Sequence, residues 1–182
     1  MSVSSVARRL SAVRPGFRSL DIVHGDNPPL PLNALSGART LRVWSQREAA
    51  SAQANTLLET GSLDVEAESL DLVTTRNILP YLAHMDAFLA HVHAALAPGG
   101  FAVFSPALSW PYADTTDAFA DRKAGVRDRE LRRKLGLDLV ERLKSLGFVV
   151  SLPRPGFLLY EGRRRAFFTA LKPADPVSKD PS

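Results

Sequence analysis

The chain has 182 residues, 45% of them hydrophobic, which is enough for one ordinary core and too little for several domains. Its formal net charge of +4 comes from scattered basic residues and does not indicate nucleic-acid binding. The absence of cysteine excludes disulfides, cysteine-ligated zinc and thiol catalysis, and no apolar run reaches the roughly 18 residues of a membrane span.

The first 18 residues form a separate basic arm, with Arg8, Arg9, Arg14 and Arg18 and no acid before Asp21. Such a composition suits a mitochondrial presequence, or a plain basic extension of a cytoplasmic protein. Residues 19–172 then read as one α/β domain, and 173–182, rich in Pro, Ser and charge, as a flexible tail.

Within the domain, "RSLDIV" predicts a first strand and "RTLRVWS" a second. "REAASAQAN" predicts a short helix, and "TLLETG" a third strand. "SLDLVTTRN" follows as a fourth, apolar enough at Leu70, Leu72 and Val73 to be buried on both faces. The three- and four-residue spacing of Met85, Phe88, Leu89, Val92, Ala95 and Leu96 predicts a helix that Pro98-Gly99-Gly100 stops. "FAVFSPA" is the next strand, and 110–125 a polar connection of the length that serves function or capping. "RDRELRRKLGLDLVERLKSLGF" predicts one long helix with Leu131, Leu135, Leu139, Val140, Leu143 and Leu146 along a stripe. "FVVSLPRPG" and "RRRAFFTALKP" predict two closing strands.

The ordered set of these pieces resembles the class I S-adenosylmethionine-dependent methyltransferases, of the methyltransferase type 11 kind. "SLDLVTTRNILPYLAHMDAFLAHVHAALAPGGFAVFSPA" is similar to that family's central block, an "FDLV" strand, a loop, a helix ending "LKPGG" and an apolar strand. "LVERLKSLGFVV" is similar to its last helix and sixth strand. The resemblance implies a Rossmann-like, seven-stranded, mostly parallel sheet with the last strand antiparallel, and a cofactor at the carboxyl ends of the first strands.

The same resemblance marks candidate cofactor-binding residues. Asp21 matches the acid of strand one and Gly25 one glycine of the loop after it, while Val23 and Asn27 stand where two further glycines belong. Asn27 tolerates positive φ, but a β-branched Val23 does not. Pro28, Pro29 and Pro31 remove backbone donors from the place where the family starts a helix. At the end of strand two the family's ribose-binding acid is absent, leaving Ser45 or Gln46 as neutral substitutes. Glu59 is the candidate for the acid that meets adenine after strand three, with Asp64 a looser one. Apart from the family, Asp21 can equally cap backbone donors, and Glu59 can be a solvated acid.

His91 and His93 lie two apart on a helix and point to different faces, so no metal site is expected. His24 beside Asp26 can serve as a general base or be an exposed loop residue. Asn77, Tyr81, Ser105 and Trp110 fall where the fold puts its substrate pocket, and the run Arg163 to Arg165 is a solvated strand entrance or a contact for an acidic partner. Two functions are thereby expected. One is a catalytically degenerate methyltransferase-like protein, retained as a structural or assembly subunit among protein partners in a larger, mitochondrial complex, and binding no cofactor. The alternative is an active methyltransferase that binds S-adenosylmethionine through an atypical loop.

Overall fold

The computed structural model describes residues 17–24, 38–44, 51–105, 114–117, 132–151, 158–160, 163–165 and 168–174. Four strands run parallel: β1 (Ser19–His24), β2 (Ala38–Trp44), β3 (Leu70–Arg76) and β4 (Leu96–Ser105). Short hairpin strands β5 (Thr116–Asp117) and β6 (Arg133–Lys134) pair with each other, as do β8 (Leu158–Tyr160) and β9 (Arg163–Arg165). With β7 (Val149–Ser151) and β10 (Phe168–Leu171) the main sheet has six strands in the order β2-β1-β3-β4-β10-β7, and β10 is antiparallel to both its neighbours. This is the mostly parallel α/β sheet with an antiparallel final strand that the resemblance implied. Among the described residues it has six strands, one short of the expected seven.

The missing strand is "TLLETG", which is helical. Helix α1 (Ala52–Thr60) is framed by Ser51, whose hydroxyl accepts the Ala54 N–H at 3.1 Å, and by Gly61, whose φ of 72° closes it. Local capping and the helix formers Ala, Gln, Leu and Glu outweigh the short Thr-Leu-Leu run that reads as a strand. Alanine at position 61 would be strained twice, by the positive φ and by a Cβ 2.9 Å from the Phe88 backbone nitrogen. Gly61→Ala should therefore lower the unfolding free energy by about 2 kcal/mol or more, measured by urea denaturation.

Helix α2 (Met85–Ala95) lies where its periodicity places it, but ends three residues before Pro98, and β4 starts at once. The long helix expected over 127–148 is cut down to α3 (Leu139–Ser145), because β6 takes its described N-terminal part. Arg132 donates its backbone N–H to Pro80 O at 2.9 Å, and Gly136 N–H reaches the Thr115 hydroxyl at 3.1 Å. These non-local bonds hold the segment away from helical geometry. Leu135, Leu139 and Leu143 are nevertheless all fully buried, Leu135 from the turn after β6 and the other two from α3.

The three helices among the described residues pack on one face of the sheet. Ala54 and Leu57 of α1, Met85, Phe88, Leu89 and Val92 of α2, and Leu139 and Leu143 of α3 share a cluster with Leu20, Ile22, Val73, Ala102, Phe104, Phe168 and Ala170 of the strands. Val23, Leu72 and Val103 are as deeply buried but fall outside that cluster, on the opposite face. Strand alternation produces this division. Ser19, Asp21, Thr74, Arg76 and Ser105 are in register with the second set, and buried Thr75 with the first.

Candidate functional site

β1 connects toward β2 on one side while β3 leads to β4 on the other, so the chain direction reverses between β1 and β3. In open α/β sheets, ligands bind in the crevice at the carboxyl end of such a reversal. Asp21, Val23, Thr74 and Arg76 stand there, paired across the two strands as Asp21 with Thr74 and Val23 with Arg76.

Asp21 is only 2% exposed. One carboxylate oxygen accepts the Thr74 hydroxyl at 2.5 Å and the other accepts Arg76 Nη2 at 2.7 Å. The pair is largely desolvated, with the Arg76 side chain 17% exposed, so the charge-assisted bond acts in a low-dielectric setting. Asp21 thus ties β1 to β3 through two side-chain bonds. The Arg76 that holds it was not singled out in the sequence; parity puts Arg76 on the same face of β3 as Thr74, and the β1–β3 register sets that face beside Asp21.

Val23 is fully buried and continues β1 as far as His24. Where the family resemblance implies a glycine and a turn, this chain has a packed β-branched residue in strand pairing. Among the described residues, β1 thus departs at Val23 from the glycine pattern that the resemblance implies. Gly25, Asn27 and Ser45 lie outside the described residues, as do Asp26, the three prolines, Gln46 and Trp110.

Glu59 is not in a loop following a third strand, as the resemblance placed it, but on α1. Its side chain is 63% exposed and meets Arg132 Nη2 at 2.7 Å. Beyond β3, Asn77 adopts a left-handed conformation with φ of 55° and donates its N–H to Ser105 O at 3.1 Å. Two expected pocket residues are thus adjacent, and Tyr81, in a short 3-10 turn (Leu79–Tyr81), is buried at 6% exposure. A positive φ at a residue other than glycine marks a place where the surroundings override local preference.

The loop after that turn is clasped by arginines from the 132–142 segment. Arg133 donates to Leu82 O and Ala83 O, both at 2.7 Å. Arg142 reaches both oxygens of Asp86 at 2.9 and 3.0 Å, and Asp138 at 2.8 Å. Burial alone would raise the Asp138 carboxyl, but hydrogen bonds from Thr115 and Arg142 and the nearby guanidinium charge hold it below its ordinary value. The same bond to Asp138, and then those to Asp86, raise Arg142.

At the other end of α2, His93 stacks edge-on against Phe148 with ring centroids 4.8 Å apart. Desolvation, and then the charge of Lys172, lower its pKa from the ordinary 6.5. The unfolded chain therefore binds the proton more tightly than the folded one. Stability should rise with pH through the window ending near 6.5, be complete above it, and fall on acidification. His93→Gln should remove that part of the pH dependence, read as unfolding free energy between mildly acidic and neutral buffer.

Among the described residues no group of His, Cys, Asp or Glu could hold a metal ion, and no helix is long and apolar enough to cross a membrane.

No family model matches the chain, and no curated protein matches it in sequence. Solved structures do match. A presumed methyltransferase of Bacillus halodurans superposes with a TM-score of 0.61 at 12% identity, over 96% of this chain and all of that one. The [4+2]-cyclase SpnF gives 0.60 at 16%, over 94% and 81%. Phosphoethanolamine N-methyltransferase 2 of Haemonchus contortus, in complex with S-adenosyl-L-methionine, gives 0.58 at 16%, over 93% of this chain and 52% of that one. With the strand order and the antiparallel β10, these likenesses establish that the chain has the fold of the class I S-adenosylmethionine-dependent methyltransferases.

Proposed function

We propose that this protein is a methyltransferase-like subunit that has given up the cofactor site of its fold and serves as a structural or assembly component of a larger, mitochondrial complex. The observation that carries the reading is the fully buried Val23, which runs β1 through the position of the first glycine. It is supported by the Asp21–Arg76 pair, which commits the strand-one acid to the inside of the sheet, and by the absence of an acid at Trp44, Ser45 and Gln46. These changes lie on different strands and act in the same direction. None of them weakens the sheet, whose helices and strands pack without the glycines. A fold of this kind does not fix an activity, as a cyclase among its structural neighbours illustrates.

The second reading, an active methyltransferase with an atypical loop, is favoured by the neighbours described in complex with S-adenosylmethionine or S-adenosylhomocysteine. Catalysis would then rest on positioning a nucleophile near Asn77 and Ser105. The subunit reading is tested by fractionating the native source on size exclusion and detecting the chain. Elution within a large, salt-resistant assembly is expected; elution as a species of about the 19.8 kDa chain mass would overturn it.

A further inference from the structure

On the helix-bearing side of the loop after β3 lies a cleft of about 330 Å³, a size that admits a small polar molecule. Arg132, Arg133 and Arg142 line it, with His84, Asp86 and Thr116. Asp86 is the one carboxylate in that lining, and it is held by Arg142 through both oxygens. Arg142 is therefore neutralised, leaving the other two guanidiniums to set the character of the cleft.

These two differ in a useful way. Arg133 is fixed by hydrogen bonds to two neutral carbonyls, which orient it without cancelling its charge. A guanidinium has five N–H groups, so these bonds leave donors for a further acceptor. Arg132 faces Glu59, but that pair is exposed on both sides, at 35% and 63%, and an exposed pair of this kind exchanges readily for a stronger acceptor. Neighbouring arginines with planar forks match the oxygens of a phosphate.

We propose that this cleft binds a small dianionic group, a phosphate or phosphate monoester, between Arg132 and Arg133, with Glu59 as an internal competitor that the ligand displaces. The site is separate from the β1–β3 crevice, and does not depend on whether that crevice holds a cofactor.

The test is calorimetric titration of the full chain with inorganic phosphate at constant ionic strength set by chloride. Saturable binding with Kd of about 1 mM or below is expected. Glu59→Gln, an exposed change, should tighten it several-fold, and Arg132→Gln should weaken it by about tenfold or more. A purely structural clasp predicts no gain in E59Q. The proposal is overturned if phosphate shows no saturation up to about 10 mM, or if E59Q and R132Q both bind as the unaltered chain does.

Discussion

Replacing Arg76 by methionine lowers the unfolding free energy by about 3–5 kcal/mol, the cost of withdrawing the counter-charge from a buried carboxylate. Asp21 keeps its Thr74 hydrogen bond in that variant, but a neutral hydroxyl does not replace a guanidinium 2.7 Å away. The double change Arg76→Met with Asp21→Leu recovers most of the loss, because two apolar residues of similar size avoid the desolvation both charges incur. Chemical denaturation of the two single variants and the double variant closes the cycle. A coupling near zero would mean that Asp21 does not depend on Arg76, and the site would have to be rebuilt around other groups.

Replacing Val23 by glycine, which restores the family's residue at that position, costs about 2–4 kcal/mol of stability and recovers no binding of S-adenosylmethionine. Val23 is 0% exposed in the middle of a sheet, so the change opens a void and adds backbone freedom to the unfolded chain. If Val23 instead occupied space left open in a working crevice, the glycine variant would be close to neutral in stability and would bind cofactor more tightly. Thermal denaturation with and without cofactor distinguishes these outcomes.

The fold was legible where apolar periodicity was strong and local. Leu70, Leu72 and Val73, and the stripe from Met85 to Ala95, specify β3 and α2 with no help from distant residues. Legibility failed where capping or long-range bonds decide. Ser51 and Gly61 turn "TLLET" into helix, and Pro80 O and the Thr115 hydroxyl hold 132–136 out of one. The strand expected to start at Arg163 is divided, and the pairing of its Arg163–Arg165 part with Leu158–Tyr160 in the β8–β9 hairpin was not legible.

At the crevice, the departures at Val23 and strand two were visible against the family pattern. The Asp21–Arg76 pair was not, since the two residues are 55 positions apart and meet only because β1 and β3 are neighbours in register. The arginine-lined cleft was invisible for the same reason. Its parts come from three segments, and "RELRRK" read alone is an ordinary charged helix face.

The proposed loss of the cofactor site is tested most directly by calorimetric titration of the purified chain with S-adenosylmethionine and S-adenosylhomocysteine. With Val23 packed into β1 and Asp21 held by Arg76, no saturable heat should appear up to about 1 mM of either. Binding with Kd in the range of about 1–10 μM would contradict that account and make the protein an active methyltransferase candidate.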